Sequence, residues 1–188
     1  MIMKKLVFIF AGILLSSAMF AQGNINKGNI MLGGMAGFES KKASDGDESL
    51  STITFSPNVG YFFMNQFAGG LRVNYTSLKY SEDEDATSQF DLAPFVRYYF
   101  LPPAKKTNFF LDASYGFGSV SEGGESASYN TFSFMGGPSI FLTPSAALEF
   151  GIGYSSMGGE EVFGDDSRLN TFAIKVGFQI HLGGSGSK

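Results

Sequence analysis

The stretch "TFAIKVGFQIHL", residues 171–182, sets Phe172, Ile174, Val176, Phe178, Ile180 and Leu182 in alternation with Ala173, Lys175, Gly177, Gln179 and His181. A two-residue period marks a β-strand with one apolar face and one small or polar face. In a water-soluble sheet the apolar face would turn into a core and Lys175 would meet solvent. In a membrane barrel the two assignments exchange, so the direction of this face decides both fold and location.

The same alternation recurs along the chain, and no later stretch holds the 3.6-residue period of an amphipathic helix. Strands are predicted at residues 29–39, 52–63, 67–80, 88–101, 108–120, 131–142, 146–157 and 169–182. Their connections alternate in length: "MNQ", "PPAKKT" and "TPS" are short, whereas "SKKASDGDESLS", "SEDEDAT", "SEGGESASYN" and "GGEEVFGDDSR" are longer and mostly acidic. The strands therefore have one tight end and one loopy end. Pro57, Pro94 and Pro138 each precede a short turn on an even-numbered strand, in a weak hairpin repeat. Proline cannot donate to a ladder, so these three mark either bulges at matching heights or strand ends.

Volume settles the facing. The apolar face carries Phe55, Tyr61, Val73, Tyr75, Phe90, Leu92, Phe109, Leu111, Phe132, Phe134, Phe150 and Ile152, among others. An eight-stranded barrel is only just wide enough for side chains to fill it, so a face this bulky must be convex. The opposite face is rich in glycine (Gly33, Gly37, Gly60, Gly70, Gly116, Gly118, Gly137, Gly151, Gly153, Gly177), with Ser, Thr, Asn and a few charges. A convex apolar face needs hydrocarbon around it, and a closed barrel is the sheet that satisfies every backbone group there. The fold class expected is therefore all-β: an eight-stranded, antiparallel, up-and-down transmembrane β-barrel.

Tyr61 to Phe63, Tyr98 to Phe100, and Phe109 with Phe110 gather near the short turns, as in an interfacial aromatic girdle, although the chain has no Trp. With an even strand number both termini lie on the short-turn side, expected to be periplasmic, and the acidic connections face outward from the cell.

Composition narrows the classes. The chain has 188 residues, a net charge of -4 and no cysteine. Without a basic cluster it lacks the Lys/Arg surface that displaces phosphate counterions, so no nucleic acid partner is expected. Cysteine nucleophiles, thiolate metal sites and disulfide scaffolds are excluded. The opening "MIMKKLVFIFAGILLSSAMFAQ" places Lys4 and Lys5 before an apolar run and small residues ending at Ala21. It reads as a signal peptide over residues 1–21, followed by a barrel domain over 22–182 and a flexible tail over 183–188.

With these features the sequence resembles the small outer-membrane β-barrels of Gram-negative bacteria, the family of OmpX-like proteins and the OmpA-type transmembrane domain. The resemblance is carried by "SPNVGYFF" with "FAGGLRVNY", by "PFVRYYF" with "FFLDASYGFG", and by the terminal "FAIKVGFQIHL". It implies a location in the outer membrane, with lipid bilayer, lipopolysaccharide and the outer-membrane assembly machinery as partners, and a monomer. The chain departs from the family pattern at its end, where Leu182 and "GGSGSK" stand in place of a terminal aromatic residue.

Catalytic chemistry is sparse. His181 is the single histidine and lies at the tight end, away from the long connections, so no Ser-His-Asp triad or multi-histidine metal site is available in the loops. The acidic runs Glu82 to Asp85 and Glu160, Glu161, Asp165, Asp166 lack the spacing of a defined calcium loop and read as solvated loops. No cofactor, metal or catalytic residue is assigned.

Six charges fall on the small face, namely Arg72, Arg97 and Lys175 against Asp91, Asp112 and Glu149, and they define a barrel-interior polar network. A hairpin centred in "PPAKKT" sets Arg97 opposite Asp112, and one centred near residue 162 sets Lys175 opposite Glu149. Arg72 falls opposite Asn58, and Asp91 sits higher with no evident neighbour. The function expected is that of a non-enzymatic outer-membrane barrel, envelope-structural or presenting acidic surface loops for binding or adhesion. The alternatives are a narrow porin-like channel and a soluble, lipocalin-like periplasmic barrel. The sequence names no partner for the surface loops.

Overall fold

A β-strand that is apolar on one side and small on the other can bury its backbone polarity only by pairing on both edges, and here that pairing runs full circle. The structure is a computed structural model and describes residues 25–42, 49–79, 87–103, 105–122, 125–163 and 167–183. Its strands are β1 (Ile30–Lys42), β2 (Ser49–Met64), β3 (Phe67–Lys79), β4 (Thr87–Tyr99), β5 (Thr107–Glu122), β6 (Glu125–Thr143), β7 (Ala146–Gly158) and β8 (Arg168–Leu182). They form a closed up-and-down barrel in sequence order. All neighbours are antiparallel, and β1 meets β8 from Ile30↔Leu182 to Ala36↔Val176. A short helix, α1 (Glu160–Phe163), lies between β7 and β8. The expected signal peptide and most of the expected tail lie outside the described residues, as do the runs Glu82 to Asp85 and Asp165 to Asp166.

The register fixes the stagger. Stepping round the barrel from Ile30 visits Tyr61, Gly69, Val96, Ala113, Phe134, Tyr154 and Phe172. Continuing the β1–β8 register four residues past Val176 brings Phe172 level with Ser40, so the stagger is 40 − 30 = 10 residues. Such an offset tilts strands to the axis, at the ~35–45° usual in barrels.

The apolar face is on the outside. Phe55, Leu92, Leu111, Phe134, Phe150 and Ile174 are all exposed, while Arg72, Asp91, Arg97, Asp112, Ser114 and Glu149 are buried. A soluble barrel would show the reverse, so the lipocalin-like alternative falls. Inward glycines let neighbouring strands approach: a Cβ at Gly70 would run into the Val59 carbonyl, and one at Gly137 into the Phe150 carbonyl.

The expectations need correction in three places. First, the prolines are not bulges. Each leaves a gap in the ladder to the next strand, as between Phe55↔Tyr75 and Asn58↔Arg72 beside Pro57, yet the register continues unchanged. Register shifts occur instead at Phe62/Met64 and Phe141/Thr143, beside the tight turns. Second, "SEGGESASYN" is mostly strand: β5 and β6 pair up to Glu122↔Glu125. Third, the aromatic girdle is split by the two-residue period. Tyr61, Phe63, Tyr98, Phe100 and Phe109 point outward, whereas Phe62, Tyr99 and Phe110 point inward and are buried.

Candidate functional site

The inward aromatics make the tight end an apolar floor. Phe62, Tyr99, Phe110 and Phe141 join Met31, Ala68, Ala147 and Ile25 in one buried cluster. Ile25 precedes β1, and its carbonyl accepts the Gln66 amide at 2.7 Å while Gly28 N–H donates to the Phe62 carbonyl at 2.8 Å. The short segment before the barrel is thus folded back under it. Gln66 holds the left-handed φ of 68°, and its side-chain Nε2 donates to the carbonyls of Tyr99 (2.9 Å) and Leu101 (3.0 Å). A left-handed non-glycine residue is tolerated where tertiary bonds over-determine it, and here they lace two tight turns together.

Immediately inside this floor lies an ionic layer. Arg72 donates from Nη1 and Nη2 to both oxygens of Asp112, at 2.9 and 2.8 Å. Arg97 donates from Nε to Asp112 Oδ2 at 2.9 Å and from Nη1 to Glu149 Oε2 at 2.8 Å. The second Glu149 oxygen accepts from the hydroxyls of Tyr99 (3.0 Å) and Ser139 (3.2 Å). Charges of this kind survive burial only when paired and hydrogen-bonded, and this chain of four alternates in sign throughout. Aromatic faces complete the cover: Arg72 lies over Phe95 and Arg97 over Phe110, with guanidinium carbons 4.7 and 4.6 Å from the ring centroids.

His181 stands at the edge of this layer, fully buried against Phe62, Tyr99 and Phe141. Its Nε2 is 3.3 Å from the Tyr99 hydroxyl. With the one phenolic proton given to Glu149, Nε2 is the donor in that contact. The histidine is therefore a polar corner of the floor, closed off from the long connections.

The other two charges sit toward the loopy end. Asp91 accepts from Asn74 Nδ2 at 2.8 Å and from the Tyr129 hydroxyl at 3.0 Å. Lys175 forms no ion pair among the described residues, although it lies within electrostatic reach of Asp91 and Asp112. Arg97 stands opposite Asp112 and Arg72 opposite Asn58. The pairing of Lys175 with Glu149 is corrected: Lys175 faces Gly151, Glu149 faces Gly177, and Glu149 bonds across the lumen to Arg97. The connection between β7 and β8 contains α1, so its hairpin is centred on residue 163, one beyond 162, and a one-residue move of the centre shifts pairing by two.

Sequence reasoning missed Tyr99, Tyr129 and Ile25. Tyr99 and Phe62 were recoverable from phase alone, since the middle residue of "YFF" and of "YYF" must face inward if its neighbours face out. Glu161 of α1 also has a structural task, accepting the Ser128 N–H at 2.7 Å on the upper edge of β6. Among the described residues no cluster of three or more His, Cys, Asp or Glu could hold a metal.

A greasy exterior, a closed ring of strands and an ion-paired interior have one home, a lipid bilayer crossed by β-strands. The profile of the family described as "outer membrane protein beta-barrel domain" matches residues 8–181. The chain belongs to this family. Its location is accordingly the outer membrane. The crystal structure of Neisserial surface protein A (NspA) is similar to this outer-membrane barrel, with a TM-score of 0.58 and 18% identity over 83% of this chain and 98% of that one. That likeness is one of fold. No curated protein matches the chain in sequence.

Proposed function

We propose that this outer-membrane barrel is a non-enzymatic envelope protein that presents its long acidic connections to a partner at the cell surface, with both termini in the periplasm. The observation that carries this reading is the fully buried Arg97–Glu149 pair seated above the Ile25 floor. A lumen crossed by side chains bonded to each other has no path for substrate through the barrel. Exposed chemistry is then confined to the connections, where function gathers when a rigid scaffold holds loops.

The test is epitope display. Tags inserted near Asp45 or Asp85 are expected to be labelled on intact cells, because polar loop tips tolerate insertion. A tag between Lys105 and Lys106 is expected to be labelled only after the outer membrane is permeabilised. Labelling of the Lys105 site on intact cells would reverse the orientation and remove the surface-presentation reading.

A further inference from the structure

The outer face of the barrel changes character toward the loopy end. On β8 the outward residues run from Ile174 and Phe172 up to Asn170 and Arg168, which pair with Ile152, Tyr154, Ser156 and Gly158 of β7. On β6 they run from Phe134 and Phe132 up to Asn130, the partner of Gly158. Apolar side chains thus give way to a polar patch at one height on three neighbouring strands. Phe172 and Ile174, directly below the patch, are the most exposed of the large apolar side chains, at 78% and 77%.

Arg168 is the cation of this patch, and its position is fixed. The guanidinium lies over Gly158, where a Cβ would stand 2.9 Å from the Arg168 Cζ. Nε donates to Ser156 Oγ at 2.8 Å, Nη1 to Asn130 Oδ1 at 3.1 Å and Nη2 to the Ser156 carbonyl at 2.7 Å. The side chain therefore crosses β7 to reach β6, along a route that the missing side chain of Gly158 leaves open. A guanidinium has five N–H groups, so these bonds leave one on each Nη. Among the described residues no carboxylate pairs with Arg168. Glu161, on the same edge, accepts the Ser128 N–H instead.

A fixed, exposed cation at the top of an apolar wall is complementary to an amphiphile with an anionic head and aliphatic chains. Guanidinium suits a phosphate head, because its N–H groups match phosphate oxygens and it is weakly hydrated. In the orientation proposed above, the leaflet at this height is the outward one, which is built of lipopolysaccharide. We propose that the patch is a binding site for the lipid A part of lipopolysaccharide, with a glucosamine phosphate on Arg168. The sugar would lie against Asn130, Ser156 and Asn170, and the acyl chains would descend over Phe172 and Ile174 toward the bilayer centre. The inference rests on that orientation. Tag labelling reads the orientation in cells and lipid binding reads the site in purified protein, so the two fail separately.

The experiment is native mass spectrometry of the detergent-purified barrel, titrated with diphosphoryl lipid A, with dephosphorylated lipid A and with phosphatidylglycerol. The wild-type protein is expected to bind the diphosphoryl form about tenfold more tightly than either of the others, a difference of ~1.4 kcal/mol for a charge-assisted contact. Arg168→Gln should erase that preference, and Lys106→Gln, which removes an exposed cation at the tight end, should keep it. Equal wild-type binding of diphosphoryl and dephosphorylated lipid A overturns the site, even if Arg168→Gln fails to fold. A preference that survives in folded Arg168→Gln places the phosphate elsewhere, and equal binding of phosphatidylglycerol makes the patch a general anionic-lipid site. Either result also refutes the proposal.

Discussion

Arg97 on β4 and Glu149 on β7 meet across the lumen at 2.8 Å, both with fully buried side chains, and no strand pairing joins their strands. The contact braces the barrel across its diameter, which the ladder of hydrogen bonds around its circumference does not do. Removing Glu149 leaves two buried arginines, Arg72 and Arg97, sharing the single carboxylate of Asp112. Glu149→Ala is therefore expected to cost ~3 to 5 kcal/mol, and Glu149→Gln less because it keeps an acceptor. Urea unfolding in detergent micelles, followed by the shift of the folded band on unheated gels, measures both. An unchanged midpoint for Glu149→Ala would mean that the brace carries no stability.

Exchanging the charges of one pair does not restore this layer. Opposite registers alone suggest that Arg97→Asp with Asp112→Arg should recover part of the loss caused by Asp112→Ala. The structure argues otherwise, because Asp112 also binds Arg72 and Arg97 also binds Glu149. In the swap an aspartate would face Glu149 and an arginine would face Arg72, two like-charge contacts in a buried setting. The double variant is expected to unfold at lower urea than Asp112→Ala alone. A midpoint above that of the single variant would show that the network acts as independent pairs.

The exterior is tested by charge placement. Leu111 and Phe150 are exposed on the lipid face, whereas Ser114 is buried in the lumen. An arginine facing lipid costs ~2 to 4 kcal/mol at mid-membrane, so Leu111→Arg and Phe150→Arg should lower the folded fraction in the outer membrane. Ser114→Asn should assemble more fully than either. The reverse order would mean that the faces are inverted.

What could be read in the sequence follows from how each feature is encoded. The strands and their facing are written in a local two-residue period, which needs no knowledge of distant contacts. Arg97 opposite Asp112 was equally accessible, because a short turn fixes the register on either side of it. Glu149 was misplaced because α1 sits in a long connection whose centre composition does not reveal. The upper β5–β6 hairpin hid in serine and glutamate, residues of loop-like composition that pair here as Ser121↔Ser126. The cross-lumen bonds of Arg97 and Tyr99 depend on side-chain reach between strands far apart in the chain, and no pattern of spacing records that.

Ile25 offers a test of the floor. Its side chain is fully buried although it lies outside every strand. Ile25→Ala is expected to cost ~2 to 5 kcal/mol, the usual penalty for truncating a buried isoleucine. Lys27→Ala, two residues on with an exposed side chain, serves as the comparison and should change stability less. Thermal unfolding in detergent reads both, and equal midpoints for wild type and Ile25→Ala would show that the segment does not dock in solution.

The most direct test of a sealed interior is electrical. Purified wild-type barrel, inserted in a planar bilayer at neutral pH and molar salt, is expected to give no steady conductance, because Arg72, Asp112, Arg97 and Glu149 bond across the lumen above the floor of Phe62, Phe110 and Ile25. Stable, long-lived current steps from the wild-type protein, proportional to the amount inserted, would contradict the closed lumen and make the barrel a channel.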